Sequence, residues 1–493
     1  MTIATIRQEE KASEWDTHPR EWPRRDLRSP DECLNLDQTI TEELQLKAAQ
    51  EQFIKAYNEI AAVRDLANRQ GISQISTLND LAPILFHHTA YKSYPLSLIE
   101  KKKYSQLTKW LDKFTTLDIG DVKLDDPKTI DEWLDQLEEK TQLEPVHSSG
   151  TTGKLSIIPR SKIDMENYVN AFYIFMEKIT SIDFHKERMP VFVPGYQTGR
   201  QIATKVFGTF GPKFAGSEED YHYAYPGRLS ADFMSLAGRV KAAKAKGELG
   251  KIQLIRSLVH NKGELIKAQI QMPKLKETFM EKFLSYKGKK IFFMGLQADF
   301  IKSAIEGHDK GERNVFAPGS GFVTGGGMKG YTPPEGWYQK TLEFYGIKSI
   351  PKGYGMTEMN GGGLPSCECG NYHFFPWHIP FILNPETGEV AQRKGIQTGR
   401  FAFFDLLAEN YWGGFITGDR VTIHYDQCEC GVKAAWLESD IARYSELQGG
   451  DDKISCAGVQ GAYDDFIDFL MDEEESEPSS SYKAVITYAN RHE

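Results

Sequence analysis

Residues 147–161 read HSSGTTGKLSIIPRS and concentrate hydroxyls, glycines and one lysine in a short span. Ser148, Ser149, Gly150, Thr151, Thr152 and Gly153 precede Lys154. Glycines let successive backbone N–H groups turn toward one anion, hydroxyls add donors, and lysine adds charge. That chemistry suits a polyphosphate. The spacing is not GxxxxGK[ST], so it is not the common P-loop. Read in isolation, the same residues also describe a surface turn.

Four further segments carry chemistry. VTGGGMKG (323–330) would let a flat ligand approach the backbone at Gly325, Gly326 and Gly327. GYGMTE (353–358) puts Tyr354, Thr357 and Glu358 on one short loop. FITGDR (415–420) places Asp419 in a tight glycine turn after a strand, and GGDDKISCAG (449–458) reads as a glycine and aspartate hinge. Two copies of CECG, Cys367–Gly370 and Cys428–Gly431, each put two sulfurs at one turn. Cys367, Cys369, Cys428 and Cys430 together make a tetrahedral zinc set, with His373 and His378 as spare nitrogen donors. The alternative is that these are buried or turn cysteines. Cys33 and Cys456 read as structural.

Elements must hold these segments. Residues 1–40 are polar, contain Pro19, Pro23 and Pro30, and read as an extended arm. Leu46, Phe53, Tyr57 and Ile60 repeat on one helical face over 41–69, and Gly71 ends that helix. Leu98 to Phe114 forms a second amphipathic stretch, so 41–140 is a helical lead-in. Short apolar runs at 190–194, 290–294, 401–405 and 484–488 read as strands. Helical stretches at 163–180, 231–246 and 273–285 alternate with the earlier ones. This predicts an α/β fold of layered sheets and helices. FILNPETGEV reads as a hairpin turning at Asn384–Gly388 inside a β-rich part, about 364–448. Residues 472–481 (DEEESEPSSS) read as linker.

The chain has 493 residues, net charge −10, 40% hydrophobic and 26% charged residues, values of a globular protein of two to four domains. Residues 440–493 hold 13 acidic and 4 basic side chains, so the remainder is nearly neutral. There is no basic surplus for nucleic acid, no run long enough for a membrane span, and no apolar leader. The expected location is the cytoplasm. Six cysteines are too few for a disulfide scaffold.

In order and separation, SSGTTGK, GGG, YGMTE, TGD and GGDD resemble the motifs of the adenylate-forming superfamily, which holds acyl-CoA ligases, nonribosomal adenylation domains and luciferase. The resemblance spans about residues 80–460. GRFAFFDLLAENYWGGFITGDRV followed by CxCG, and HHTAYKSYP near the N-terminus, are most similar to the branch of phenylacetate-CoA ligase, LuxE-type acyl-protein synthetases and phenazine-biosynthesis adenylating proteins. The resemblance implies a large adenylate-forming domain (41–448), then a hinge and a shortened acidic C-terminal segment (449–493). It implies ATP and Mg²⁺ as cofactors, besides the zinc. Ser149, Gly150, Thr151, Thr152, Gly153 and Lys154 would hold the β- and γ-phosphates. Thr357 would bond the α-phosphate and Glu358 would hold magnesium. Asp419 would accept from both ribose hydroxyls. Gly325–Gly327 would line the adenine, with Tyr354 stacked nearby. His147, Phe192, Tyr196 and Phe293 are the leading candidates for the acyl pocket, with Pro194, Gly295 and Phe322 behind them.

The implied reaction is activation of a carboxylic acid, aromatic or small, in a biosynthetic pathway, with the acyl group passed to CoA, a carrier protein or a reductase. The protein would be a monomer or homo-oligomer. Two features depart from the family pattern. Gly450 stands where an arginine is usual, leaving Arg443 or Arg420 to substitute. Only about 35 residues follow the hinge, where Lys483 lacks the family's lysine context. The alternative reading is a non-catalytic binding or scaffold protein on a degenerate adenylation fold. No GxSxG hydrolase elbow occurs, since Pro318-Gly319-Ser320-Gly321 fails it, and Gly319, Gly321 and Gly325 are misplaced for a dinucleotide-binding GxGxxG after a strand.

Overall fold

The computed structural model describes residues 14–148, 150, 154–245, 262–328, 331–447 and 469–470. The hinge at 449–458 with its Cys456, Lys483, the linker 472–481 and the strand expected at 484–488 lie outside the described residues. So do Ser149, Thr151, Thr152 and Gly153.

Residues 14–40 are packed rather than extended. Short helices Pro19–Glu21 and Pro30–Leu34 carry Trp22, Cys33 and Leu34 into the core, and Trp15 is buried beside them. The lead-in is helical as expected, but Ile60 adopts an extended backbone and divides the first stretch into helices Gln38–Glu59 and Ala61–Gln70. Gly71 caps the second with φ +70°, a conformation glycine adopts without penalty. The lead-in also supplies a strand, β1 (Phe86–His87).

The phosphate-loop segment forms a hairpin of β2 (Val146–His147) and β3 (Ile157–Ile158). Ser161 then caps the helix Lys162–Thr180 in a reciprocal box with Asp164, an S-x-x-D signature legible in the sequence.

Four strands follow: β4 (Val191–Gly199), β5 (Tyr221–Leu229), β6 (Phe292–Leu296) and β7 (Gly321–Gly325). They form a parallel sheet in the order β5-β4-β6-β7, with helices between successive strands. Both faces are covered, and alternation decides which core each residue enters. Val191, Val193, Phe292, Met294 and Val323 join the main core. Phe192, Phe293 and Phe322 point the other way, into a second, aromatic core with Phe283, Phe300 and Tyr345.

A short pair, β8 (Gly353–Tyr354) and β9 (Leu364–Pro365), brackets the GYGMTE loop. The β-rich part contains β10 (Tyr372–His373), β11 (His378–Leu383), β12 (Ile396–Asp405), β13 (Gly414–His424), β14 (Trp436–Leu437) and β15 (Ala442–Arg443). Their order is β10-β14-β13-β12-β11, with β1 parallel and β15 antiparallel to β13. The expected turn is present: the Gly388 N–H donates to the Asn384 carbonyl at 2.9 Å. The architecture is thus mixed α/β with layered sheets.

Candidate functional site

The hairpin neck is closed at its two serines. Ser148 N–H donates to Ser156 O (3.0 Å), and Ser156 N–H donates to Ser148 Oγ (2.9 Å). Inside the loop Gly150 has φ +63°, and a Cβ there would lie 2.7 Å from Leu155 Cδ2. Glycine is required for both reasons. Lys154 folds back against the lead-in. Its Nζ donates to Tyr94 O (2.6 Å) and Lys92 O (3.3 Å) and lies 5.2 Å from the Tyr94 ring centre. Burial, with the nearby Lys92 charge, lowers its pKa to about 8.

Arg160, two residues past β3, ties this hairpin to the GYGMTE loop. Its fully buried guanidinium donates to Thr357 O (2.9 Å) and to Met359 O. Tyr411 Oη donates to Glu358 O at 3.2 Å. Asp405 Oδ2 accepts from the N–H groups of Asn360 and Gly361, both at 2.7 Å. Burial pushes the Asp405 carboxyl up to about 6 although three backbone N–H groups pull it down. The loop carrying Thr357 and Glu358 is therefore clamped on both sides. Glu358 is buried, which raises its pKa; its own backbone N–H and the charges of Lys92, Arg160 and Arg443 oppose that rise.

Tyr354 leaves the same loop toward β13. Its hydroxyl donates to Asp419 Oδ2 at 2.8 Å, while Arg443 Nε lies 3.2 Å from Asp419 Oδ1. The sheet fixes this pair, because β13 and β15 set Asp419 opposite Arg443. Of the two arginines that the sequence offered, Arg443 is the one at Asp419. A carboxylate has about four acceptor sites, so Asp419 retains capacity for further donors. The glycine cluster abuts the same place. Thr324 bridges to Lys352, and a Cβ on Gly325 would sit 3.6 Å from Gly353 O. Gly326 and Gly327 have φ of +70° and +60°.

The structure thus brings Tyr354, Asp419 and Gly325 together beside the loop of Thr357 and Glu358, while Lys154 lies against the Lys92–Tyr94 turn. The acyl-pocket candidates fare differently. Phe192 and Phe293 are fully buried among aromatic side chains of the second core, on the face of the sheet opposite Val191, Val193, Phe292 and Met294. Tyr196 is half-buried, its ring 5.2 Å from that of Tyr225 on the neighbouring strand. His147 is fully buried; its Nδ1 is 2.8 Å from Ser148 O and its Nε2 has no hydrogen-bond partner among the described residues. Burial lowers its pKa, so it is held neutral. Lys92, Arg160 and Asp405 also lie here; they fall within HHTAYKSYP, HSSGTTGKLSIIPRS and GRFAFFDLL, but residue type and spacing give none of them its partners. Arg160 meets partners almost 200 positions away, which no local pattern encodes.

The two CECG turns also converge, with a change of ligand. Donor atoms of Cys367, His373, Cys428 and Cys430 lie within 4.8 Å of one another. The expected fourth sulfur, Cys369, is exposed and outside this group. The turn geometry explains it. Gly370 N–H donates to Cys367 O at 2.9 Å, and Gly431 N–H to Cys428 O at 2.8 Å, with φ of +84° and +88° at the two glycines. The first turn leads directly into β10, whose His373 reaches Cys430 Sγ at 3.3 Å. His378, the other spare donor, is buried next to Asp405, 3.7 Å away, and takes no part.

No family model and no curated protein matches the chain. Solved structures show distant likeness. An open conformation of 2-hydroxyisobutyryl-CoA ligase with 2-HIB-AMP and CoA is 12% identical over 84% of this chain and 77% of that one, with a TM-score of 0.49. ATP-bound MatB from Rhodopseudomonas palustris is 14% identical over 60% of this chain and 46% of that one, TM-score 0.31. A long-chain-fatty-acid-CoA ligase from Archaeoglobus fulgidus is 11% identical over 62% and 52%, TM-score 0.33. Likeness of this depth gives no residue a role. Among the described residues, no helix is long and apolar enough to cross a membrane.

Proposed function

We propose that this protein activates a carboxylic acid with ATP, forming an acyl-adenylate and releasing pyrophosphate. The observation that carries the reading is the convergence of Tyr354, Asp419 and Arg443 beside Gly325–Gly327, on a loop that Arg160 locks to the hydroxyl- and glycine-rich hairpin. Asp419 is the ribose acceptor, the glycines and Tyr354 form the adenine slot, and the hydroxyl- and glycine-rich loop with Lys154 would hold the phosphate tail. The acid's carboxylate oxygen attacks the α-phosphorus, and the bond to the β-phosphate oxygen breaks. The carboxyl carbon then carries a good leaving group. A buried carboxylate with no side-chain donor on it fits a hard cation, and Glu358 would hold Mg²⁺. When bound, magnesium neutralises phosphate charge. The acid is aromatic or small: the Tyr196 and Tyr225 rings pair across parallel strands whose carboxyl ends face the site, the usual place for a ligand in such a sheet. The acyl acceptor is CoA, a carrier protein or a reductase.

The test is carboxylate-dependent exchange of pyrophosphate into ATP across a panel of aromatic and aliphatic acids. Exchange with at least one acid is expected. Tight ATP binding without exchange for any acid would instead favour the scaffold reading.

The cysteine–histidine group is proposed as a structural zinc site of the Cys₃His type, closed to water and without a catalytic role. Purified protein should contain about one zinc per chain; well under one rejects the site. Cys430→Ser and His373→Ala should release the metal, whereas Cys369→Ser should retain it.

A further inference from the structure

Lys92 is not among the residues given a role above, yet its surroundings are fixed from several sides. β1 pairs with β13 at Phe86–Phe415 and His87–Ile416, three residues before Asp419. The chain then makes a short helical turn, Ala90–Lys92. Tyr91, fully buried, donates to Trp412 O at 3.0 Å. Ser93 Oγ accepts from Trp110 Nε1 at 2.9 Å, and Tyr94 Oη donates to Leu155 O at 2.9 Å. Residues on both sides of Lys92 are therefore pinned, and the turn is held against the phosphate hairpin.

Two lysines meet here in different states. Lys154 gives its ammonium to two backbone carbonyls. The half-buried ammonium of Lys92 has neither a hydrogen bond nor an ion pair within bonding distance among the described residues, although its backbone carbonyl accepts from Lys154. It lies within electrostatic reach of Glu358 and Arg443, and burial lowers its pKa. The neighbouring His87 and His88 are held neutral by burial, so they neither compete with nor neutralise it. Asp419 is matched by Arg443; Lys92, Lys154 and Arg160 then stand against Glu358 and Asp405, with Lys154 and Arg160 engaged by backbone carbonyls. The centre has a surplus of positive charge, and within it Lys92 is the cation whose ammonium no described residue engages.

We infer that Lys92 is the cation that contacts the reacting anions, offsetting the repulsion as the acid's carboxylate approaches the α-phosphate. This rests on the adenylation reading and adds a residue to it. A carboxylate and a phosphate brought together away from bulk water repel strongly, and a pre-placed ammonium with free donors acts where that charge is concentrated. Lys92 forms no covalent bond and transfers no proton in this role.

The experiment uses the full chain with Lys92→Met, Lys92→Arg and, as an exposed control, Lys101→Met. Exchange kinetics with the preferred acid, ATP binding by calorimetry and thermal unfolding are measured for each. Lys92→Met should lose about 100-fold in kcat/KM, mostly in kcat, with ATP affinity and unfolding temperature close to the parent. Lys92→Arg should recover a substantial part, and Lys101→Met should behave as the parent. Exchange by Lys92→Met within about threefold of the parent overturns the inference. So does an equal loss in both Lys92 variants together with a lowered unfolding temperature, which marks packing. If the unsubstituted protein shows no exchange, it is the adenylation reading itself that fails.

Discussion

Single side chains here are tuned mainly by burial. Lys154, with its pKa lowered to about 8, titrates near neutrality. If its ammonium receives the phosphate tail, kcat/KM for exchange falls as pH rises through about 8, because the proton that carries the charge is lost. Lys154→Arg should move that limb well above pH 9, since a guanidinium stays protonated. A limb unmoved by the substitution would assign the titration to another group. Glu358 behaves in the opposite sense. Its carboxylate is costly to bury, so Glu358→Gln should keep or raise the unfolding temperature while magnesium-dependent exchange falls about 100-fold. Asp405 gives a stability prediction. Its carboxyl is raised from 3.8 to about 6 in the folded chain, so the folded state binds the proton more readily than the unfolded state. Its contribution favours folding at low pH and is lost as pH rises from about 4 to about 6, worth about 3 kcal/mol in all. Urea midpoints of Asp405→Asn against the parent should therefore differ in slope over that window. Because Asn offers an NH₂ where a backbone N–H points, the variant should also be weaker by about 1–3 kcal/mol at pH 7.

Among the elements, β13 does most to build the site. It places Asp419 opposite Arg443, receives β1 and hence the Lys92 turn, and ends at β14, near the cysteine cluster. The cluster joins the Cys428–Cys430 turn, just past the end of β13, to the turn before β10. Metal removal by a chelator should thus lower the unfolding temperature and weaken ATP binding through β13; an unchanged unfolding temperature would mean that the sulfurs stabilise nothing through metal. The second connecting device is Arg160. It spans from the hairpin to the carbonyls of Thr357 and Met359, and Arg160→Met leaves two buried carbonyls without a donor. A loss of about 2–4 kcal/mol in stability is expected, with weaker ATP binding as the two motifs separate. Calorimetry and denaturant unfolding on the same sample read both effects.

Over the whole molecule, the N-terminal segment is part of the body. Trp15, Trp22 and Leu34 sit in the main core; Ala434 N–H donates to Leu34 O at 3.0 Å, and Gln45 reaches the carbonyls of Pro376 and His378. A chain starting at Gln38 should be markedly less stable or insoluble, as large aromatic surface is uncovered.

The sequence determined what depends on neighbours along the chain. The short apolar strands at 190–194, 290–294 and 401–405, the Ser161–Asp164 cap, Gly71 ending its helix and the Asn384–Gly388 turn are all short-range, and composition, periodicity and turn chemistry encode them directly. The candidate residues Tyr354, Thr357, Glu358 and Asp419 were legible for the same reason, since they sit in compact motifs, and the fold places Tyr354 on Asp419. Only the tertiary structure decided which distant groups meet. It chose Arg443 over Arg420 by the register of β15 on β13, and His373 over Cys369 by the direction in which a turn enters β10. It sent Phe192 and Phe293 to a core because a parallel sheet is covered on both faces. Arg160 and Lys92 acquire meaning from contacts across the fold, and long-range packing leaves no periodic trace in the chain.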